Sequence, residues 1–326
     1  MTGSESSTDV ESLGATSRPA ATWKRVFTLS IELLLVVGIG WALYRRRAEL
    51  ADVVDLDVLH VSLMLLLCAA AAPVRGIELS SVTGSLGVRV GFFESMALTQ
   101  AATLLNYLPM QAGTLLRARV LKRVRGLSYT RYVAIMSCLV VLAVGTGGVL
   151  GMMILPFVPS VAEQVRITAA IAFGAVITAS VAFLVLPLDG LPLGQGRLSR
   201  RIRDLVTGWR GILASRRSLL VVMATSMSTP ILLGLRFSLC FDALSMSVHV
   251  PEAMLLAAAI LVTAPINITP GGLGVRELVG TAIGVAAGLD YAQVLAAVTL
   301  DRVVSLTFSL VVGGGSWVWL KRRGLG

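Results

Sequence analysis

Long apolar stretches separated by short polar or basic turns run the length of this chain. They fall at about 26–44, 57–74, 92–108, 129–157, 165–187, 218–242, 252–268, 278–289 and 293–320. A membrane-crossing helix needs roughly 20 apolar residues, and several stretches supply them. Those at 92–108, 252–268 and 278–289 are short, or broken by Pro and Gly. Irregular backbone at membrane depth survives only where it is buried in protein or lines a wet cavity. The pattern therefore predicts an all-α, polytopic transmembrane helix bundle with paired re-entrant or interrupted helices. Residues 1–22, rich in Ser, Thr, Ala and acids, predict a disordered tail. Residues 23–326 form a single integral membrane domain. The run from Val26 to Tyr44 ends in Arg45-Arg46-Arg47 and lacks a small-residue cleavage site, so it reads as a span and not as a signal peptide.

Composition agrees. Of 326 residues, 56% are hydrophobic and 14% charged, where a soluble protein carries about 25% charged residues. The net charge of +10 is not a nucleic-acid footprint, because the basic residues sit in short turns beside apolar runs, as membrane orientation requires. Membrane lipids with anionic head groups are the expected partners. Arg117, Arg119, Lys122, Arg123, Arg125 and Arg131 crowd 117–131 without an acid, and a second Arg-rich loop spans 188–217. Both loops, and Lys321-Arg322-Arg323, are expected on the cytoplasmic side, with 157–165 and the neighbourhood of His249 outside. Cys68, Cys138 and Cys240 lie in apolar stretches as small core residues. With His60 and His249 as the only histidines, no metal site or cofactor is expected.

An internal repeat adds detail. Asn106-x-x-Pro109-x-x-x-Gly113 matches Asn267-x-x-Pro270-x-x-x-Gly274, each after an apolar segment that begins near a glutamate, Glu94 or Glu252. Each is followed by a similar tetrapeptide, Gly126-Leu-Ser-Tyr129 or Gly288-Leu-Asp-Tyr291, and then by a long span. The repeat elements cover about 92–157 and 252–320. Paired interrupted segments in two halves point to a transporter-like site.

The candidate chemistry lies at these breaks. Pro270 ends a helix, Gly271, Gly272 and Gly274 allow a tight turn, and a helix starting near Val275 leaves N–H groups for an anion, with Arg276 adding charge. In the first half, Arg117 falls on the apolar face of an amphipathic helix starting near Gly113 and must snorkel or find a partner. Asp301-Arg302 lies roughly 14 Å into the last long segment, and intramembrane charges of this kind need partners; Arg276 and Glu277 are the natural ones. A purely structural ion-pair network is the alternative. Arg75 and Glu78 read as interfacial; Glu32 and Arg236 are unexplained, with a weak claim to the cavity; the glycine stripes Gly147/Gly151 and Gly280/Gly284/Gly288 read as packing surfaces.

The Pro-x-x-x-Gly-x-x-x-Arg stretch at 109–117, Pro-Gly-Gly-Leu-Gly-Val-Arg-Glu at 270–277 and Asp301-Arg302 resemble the membrane domain of the lysylphosphatidylglycerol synthase/flippase family over roughly residues 25–322. The resemblance implies paired re-entrant elements around a lipid cavity. It also implies a role in moving or handling phospholipids or polyprenyl-phosphate-linked lipids in a prokaryotic plasma membrane. Fused members carry a soluble aminoacyl-transferase domain, and the expectation here is the membrane domain without it. Where the first half usually has an acid–Arg pair, Cys138-Leu139 stand.

Three readings follow. A flippase or lipid-handling transporter would grip an anionic head group with Arg117, Arg276 and Arg302. A membrane-embedded lipid-modifying enzyme would have only Glu277 and Asp301 as candidate acids, each beside an Arg, so a non-enzymatic role is expected. A third reading is a non-catalytic partner subunit of the envelope-biosynthesis machinery.

Overall fold

The computed structural model describes residues 57–108, 111–185, 206, 208–266 and 274–325. The tail 1–22, the run 26–44 with Glu32, the first part of the loop 188–217, and Pro109, Asn267, Pro270, Gly271 and Gly272 lie outside the described residues. The described chain forms helices α1 (Val58–Ser85), α2 (Phe92–Leu105), α3 (Ala112–Arg125), α4 (Tyr129–Ile154) and α5 (Glu163–Val185). After a short helical stretch at 208–214 come α6 (Arg216–Ala243), α7 (Val250–Thr263), α8 (Val275–Ala286), α9 (Tyr291–Phe308) and α10 (Gly314–Arg322). A π-helical turn, Ser309–Gly313, joins α9 to α10. Among the described residues five helical segments are long and apolar enough to cross a membrane: α1, α4, α5, α6 and the α9–α10 unit.

Two ends of the bundle are distinguished by charge. Leu121 and Leu127 after α3, Trp209 and Ile212 of the 208–214 stretch, and Leu320 of α10 share one core cluster. Arg119, Lys122, Arg123, Arg125, Arg131, Arg210, Arg216, Arg217, Lys321, Arg322 and Arg323 therefore gather at one end. At the other end Ser160 Oγ donates to Glu252 Oε1 (2.6 Å), and Gly288 packs against the Ser160 carbonyl. Asp57 and Asp290 cap helices there, and Glu163 and Asp242 lie at helix ends. The positive-inside rule predicts that the basic end faces the cytoplasm.

The four shorter helices are two hairpins that enter from opposite ends. Arms α2, α3 and α7 have 14 residues and α8 has 12, so each reaches roughly 18–21 Å, short of the roughly 30 Å hydrocarbon core. The α2–α3 hairpin starts and ends at the basic side, where Arg125 Nη2 meets Glu94 Oε2 at 2.6 Å. Its arms touch so closely that a Cβ on Gly113 would lie 1.8 Å from the Ala102 carbonyl oxygen. The α7–α8 hairpin starts and ends at the opposite side. The two segments that carry the repeated eight-residue motif thus lie in hairpins that form an inverted pair.

The second repeated tetrapeptide is a shared helix exit. Gly126 (φ 69°) and Gly288 (φ 88°) take the left-handed conformation after α3 and α8, which a glycine adopts without steric cost. The following leucine N–H returns to the helix, Leu127 to Leu121 O and Leu289 to Gly284 O. Ser128 and Asp290 then cap α4 and α9 with their side chains.

The repeat extends further than its motifs. Gly76 of α1 abuts Met96 of α2, and Gly234 of α6 abuts Met254 of α7, so each long helix cradles the first arm of its hairpin twenty residues later. The glycine stripes pack as expected: Gly147 against Ala258 and Leu261, Gly151 against Phe173, Gly280 against Ile260 and Val298, Gly284 against Val294. Helix α5 is peripheral. It buries Phe173 and Ser180 and leaves Ile171 and Val181 exposed, which suits a lipid-facing helix.

Candidate functional site

Between the inner ends of the hairpin arms the bundle surrounds a cavity of about 410 Å³. Arg75 of α1, Arg117 of α3, Arg236 of α6, Arg276 of α8 and Arg302 of α9 all line it. Leu232, Leu233, Ile260, Leu261 and Phe308 supply apolar wall, and Gln100, Thr103, Asn106, Thr229 and Ser305 supply uncharged polar groups. Counting 1.5 Å per residue, Arg75 stands roughly 15 Å and Arg117 roughly 12 Å from the cytoplasmic ends of their helices. Arg276 and Arg302 stand about as far from the opposite face.

Asp301 is the electrostatic centre of the second half and is 1% exposed. Its Oδ1 accepts from Arg236 Nε at 2.8 Å and also from Arg236 Nη2. Its Oδ2 accepts from Arg276 Nη2 at 3.0 Å. One carboxylate therefore ties α6 and α8 to α9. Glu277 is also used twice: Oε2 accepts from the Gly274 N–H (2.7 Å), and Oε1 lies 3.4 Å from Arg302 Nε. Aromatic faces complete the frame, with Arg302 5.4 Å from the Tyr107 ring and Arg276 5.9 Å from Phe237.

The first half is finished differently. Asn106 Oδ1 accepts from Thr114 N at 3.0 Å, holding the hairpin tip as a side-chain cap. Arg117 reaches Met136 Sδ at 3.7 Å, and its Nε is buried without a hydrogen-bond partner among the described residues. Arg75 has no ion-pair partner among the described residues. Glu78, one turn along α1, accepts from Ser226 Oγ at 3.0 Å and lies within electrostatic reach of Arg75 and Arg117.

The structure thus brings Arg117, Arg276 and Arg302 to one cavity and pairs Asp301 with Arg276 and Glu277 with Arg302. Three expectations are corrected. Arg75 and Glu78 are not interfacial: the apolar run ends near 74, but α1 continues to Ser85 and carries both residues into the bundle. Arg236, which has no role in the sequence repeat, is a principal partner of Asp301. The Gly274 N–H is not left for a ligand, because Glu277 reaches back to it, as an acid at this position of a helix start commonly does. Gly113 serves the close approach of α2 and α3 and not the cavity itself. Among the described residues no group of three or more His, Cys, Asp or Glu is placed to hold a metal ion.

No curated protein and no solved structure matches the chain. A family model described as the lysylphosphatidylglycerol synthase TM region matches residues 25–313, which takes in both hairpins and all five cavity arginines. The chain belongs to the lysylphosphatidylglycerol synthase TM-region family.

Proposed function

We propose that this protein moves or handles a lipid with an anionic, phosphate-bearing head group, as a flippase-like transporter in the plasma membrane of a prokaryote. The observation that carries this reading is the set of five arginines around one mid-membrane cavity. An uncompensated charge at that depth costs several kcal/mol, whereas a guanidinium grips a phosphate through two parallel hydrogen bonds. Apolar wall beside the arginines suits the attached lipid chains. The opposed hairpins support transport, because inverted pairs around a central site allow each face to open in turn. Asp301 and Glu277, the candidate acids for an enzyme, are both engaged as arginine counter-ions, which favours transport over catalysis.

Reconstitution tests the reading. Proteoliposomes loaded with fluorescent phosphatidylglycerol or, in parallel, fluorescent phosphatidic acid are assayed for loss of protected signal under a pH gradient of either sign and under none. Faster transbilayer movement than in empty liposomes is expected in at least one condition. Arg276→Ala should slow it more than Arg276→Lys, since lysine keeps the charge but loses the planar fork. Movement no faster than in empty liposomes under every gradient would rule the transport reading out.

A further inference from the structure

The cavity does not balance its charge, and the imbalance has an address. Arg236 and Arg276 share Asp301, and Arg302 has Glu277. Among the described residues Arg75 and Arg117 have only Glu78 within reach, and its Oε1 already accepts from Ser226. Among the described residues, five cavity arginines face three carboxylates, leaving two positive charges in excess in and beside the cavity. Like charges in a low-dielectric interior repel strongly, so a pair such as Arg75 and Arg117 calls for an anion between them. The buried Arg117 Nε has no hydrogen-bond partner among the described residues. Gln100 and Asn106 line the same part of the cavity, and Asn106, whose Oδ1 is taken by Thr114, keeps its amide donors.

We propose that the first-half arginines, Arg75 and Arg117, seat a dianionic phosphate, so that the lipid class favoured by this cavity carries a phosphomonoester or diphosphate head group and not a singly charged diester or an aminoacylated one. The inference rests on the lipid-handling reading and narrows it. A dianion cancels the two excess charges. A phosphodiester cancels one. A head group bearing an ammonium sets a further cation against Arg75 and Arg117. The second-half arginines are held by their own carboxylates and act as a frame.

The test uses the full chain in detergent with phosphatidic acid, phosphatidylglycerol, lysyl-phosphatidylglycerol and phosphatidylcholine of matched acyl chains. Inorganic phosphate and pyrophosphate serve as tail-free probes, and native mass spectrometry and thermal stability are the readouts. At pH 8 phosphatidic acid should be retained about tenfold better than phosphatidylglycerol, equivalent to about 1.4 kcal/mol, with lysyl-phosphatidylglycerol below both. A phosphomonoester loses its second charge near a pKa of about 6, while arginine stays charged. The preference should therefore shrink as pH falls from 8 to 5, and retention of phosphatidylglycerol should stay level. Arg75→Gln and Arg117→Gln should each erase the preference without abolishing diester binding. Arg117→Lys keeps the charge and should restore part of it, which separates loss of the seat from misfolding. Equal retention of phosphatidic acid and phosphatidylglycerol would overturn the dianion seat and leave the lipid-handling reading standing. So would a preference that persists in Arg75→Gln, Arg117→Gln and Arg117→Lys alike. Equal retention of all four lipids, or full protection by free phosphate or pyrophosphate with no added effect of lipid, would instead bring down the lipid-handling reading.

Discussion

The two hairpins use one backbone device and finish it in two ways. Both run from an acidic arm start (Glu94, Glu252) to a break, return on a helix, and leave through a left-handed glycine, a leucine, a side-chain cap and a tyrosine. In α7–α8 the break is closed by carboxylates: Glu277 holds Gly274 and Arg302, and Asp301 holds Arg276 and Arg236. In α2–α3 it is closed by a neutral amide, Asn106 on Thr114, and Arg117 has a sulfur where its counterpart has an acid. Counted from the shared tyrosines, Leu139 and not Cys138 stands in α4 where the second half has Asp301 in α9. Symmetric folding with asymmetric charge gives one half a fixed frame and the other a receptive surface.

The sharpest way to break this comparison is sidedness, an all-or-none effect. In a chain freed of Cys68, Cys138 and Cys240, a cysteine at Arg119 or Arg123, beside the first hairpin, should resist an impermeant thiol reagent in intact cells. One at Gln164 or Gln293, at the other end, should label. Labelling of all four would mean the hairpins do not enter from opposite faces.

Next in size is the frame. Asp301→Asn strands two buried guanidiniums and should cost about 3–5 kcal/mol, read as a lower melting temperature and yield. Glu78→Gln, in the half already rich in unpaired arginine, should cost less. Adding Arg236→Gln to Asp301→Asn should recover part of the loss, since it removes one stranded cation. No recovery, or a larger loss for Glu78→Gln, would reverse the assignment of frame and receptive surface.

Smaller still is packing. Gly113→Ala pushes a Cβ into the rigid Ala102 carbonyl at 1.8 Å, whereas Gly284→Ala meets the Val294 side chain less closely, at 2.6 Å. Overpacking costs about 1–3 kcal/mol, with Gly113→Ala at the upper end, and the order of melting temperatures checks it. Last comes Arg125→Gln, which breaks the half-exposed pair with Glu94 and should cost below about 1 kcal/mol and less in high salt.

Much of this architecture is written locally. The Gly-Leu-Ser/Asp-Tyr matches are short, and both become helix exits; the first break falls between the end of α2 at Leu105 and the start of α3 at Ala112. Arg276 with Asp301 and Arg302 with Glu277 follow from depth alone. Arg75, Glu78 and Arg236 do not, because no motif surrounds them and their depth depends on where a long helix ends. α1 runs eleven residues past its apolar stretch, and that extension draws an interfacial pair into the bundle, with Arg75 on the cavity wall. One trace was available: Glu78 and Arg236 each stand two residues after a glycine that packs on a methionine twenty residues on. Reading it required knowing that α1 and α6 belong to the repeat.

The central claim is that an anionic head group occupies the five-arginine cavity. The most direct test is a phospholipid carrying a photoreactive group next to its phosphate, cross-linked to the protein in native membranes and mapped by peptide mass spectrometry. The account predicts adducts on cavity-lining residues of α1, α2–α3 and α6, around Ala71, Thr103 and Thr229, competed by unlabelled anionic lipid and lost in Arg75→Gln/Arg117→Gln. Adducts confined to outward-facing positions such as Ile171 and Leu220, unchanged by competitor and by the double substitution, would contradict it.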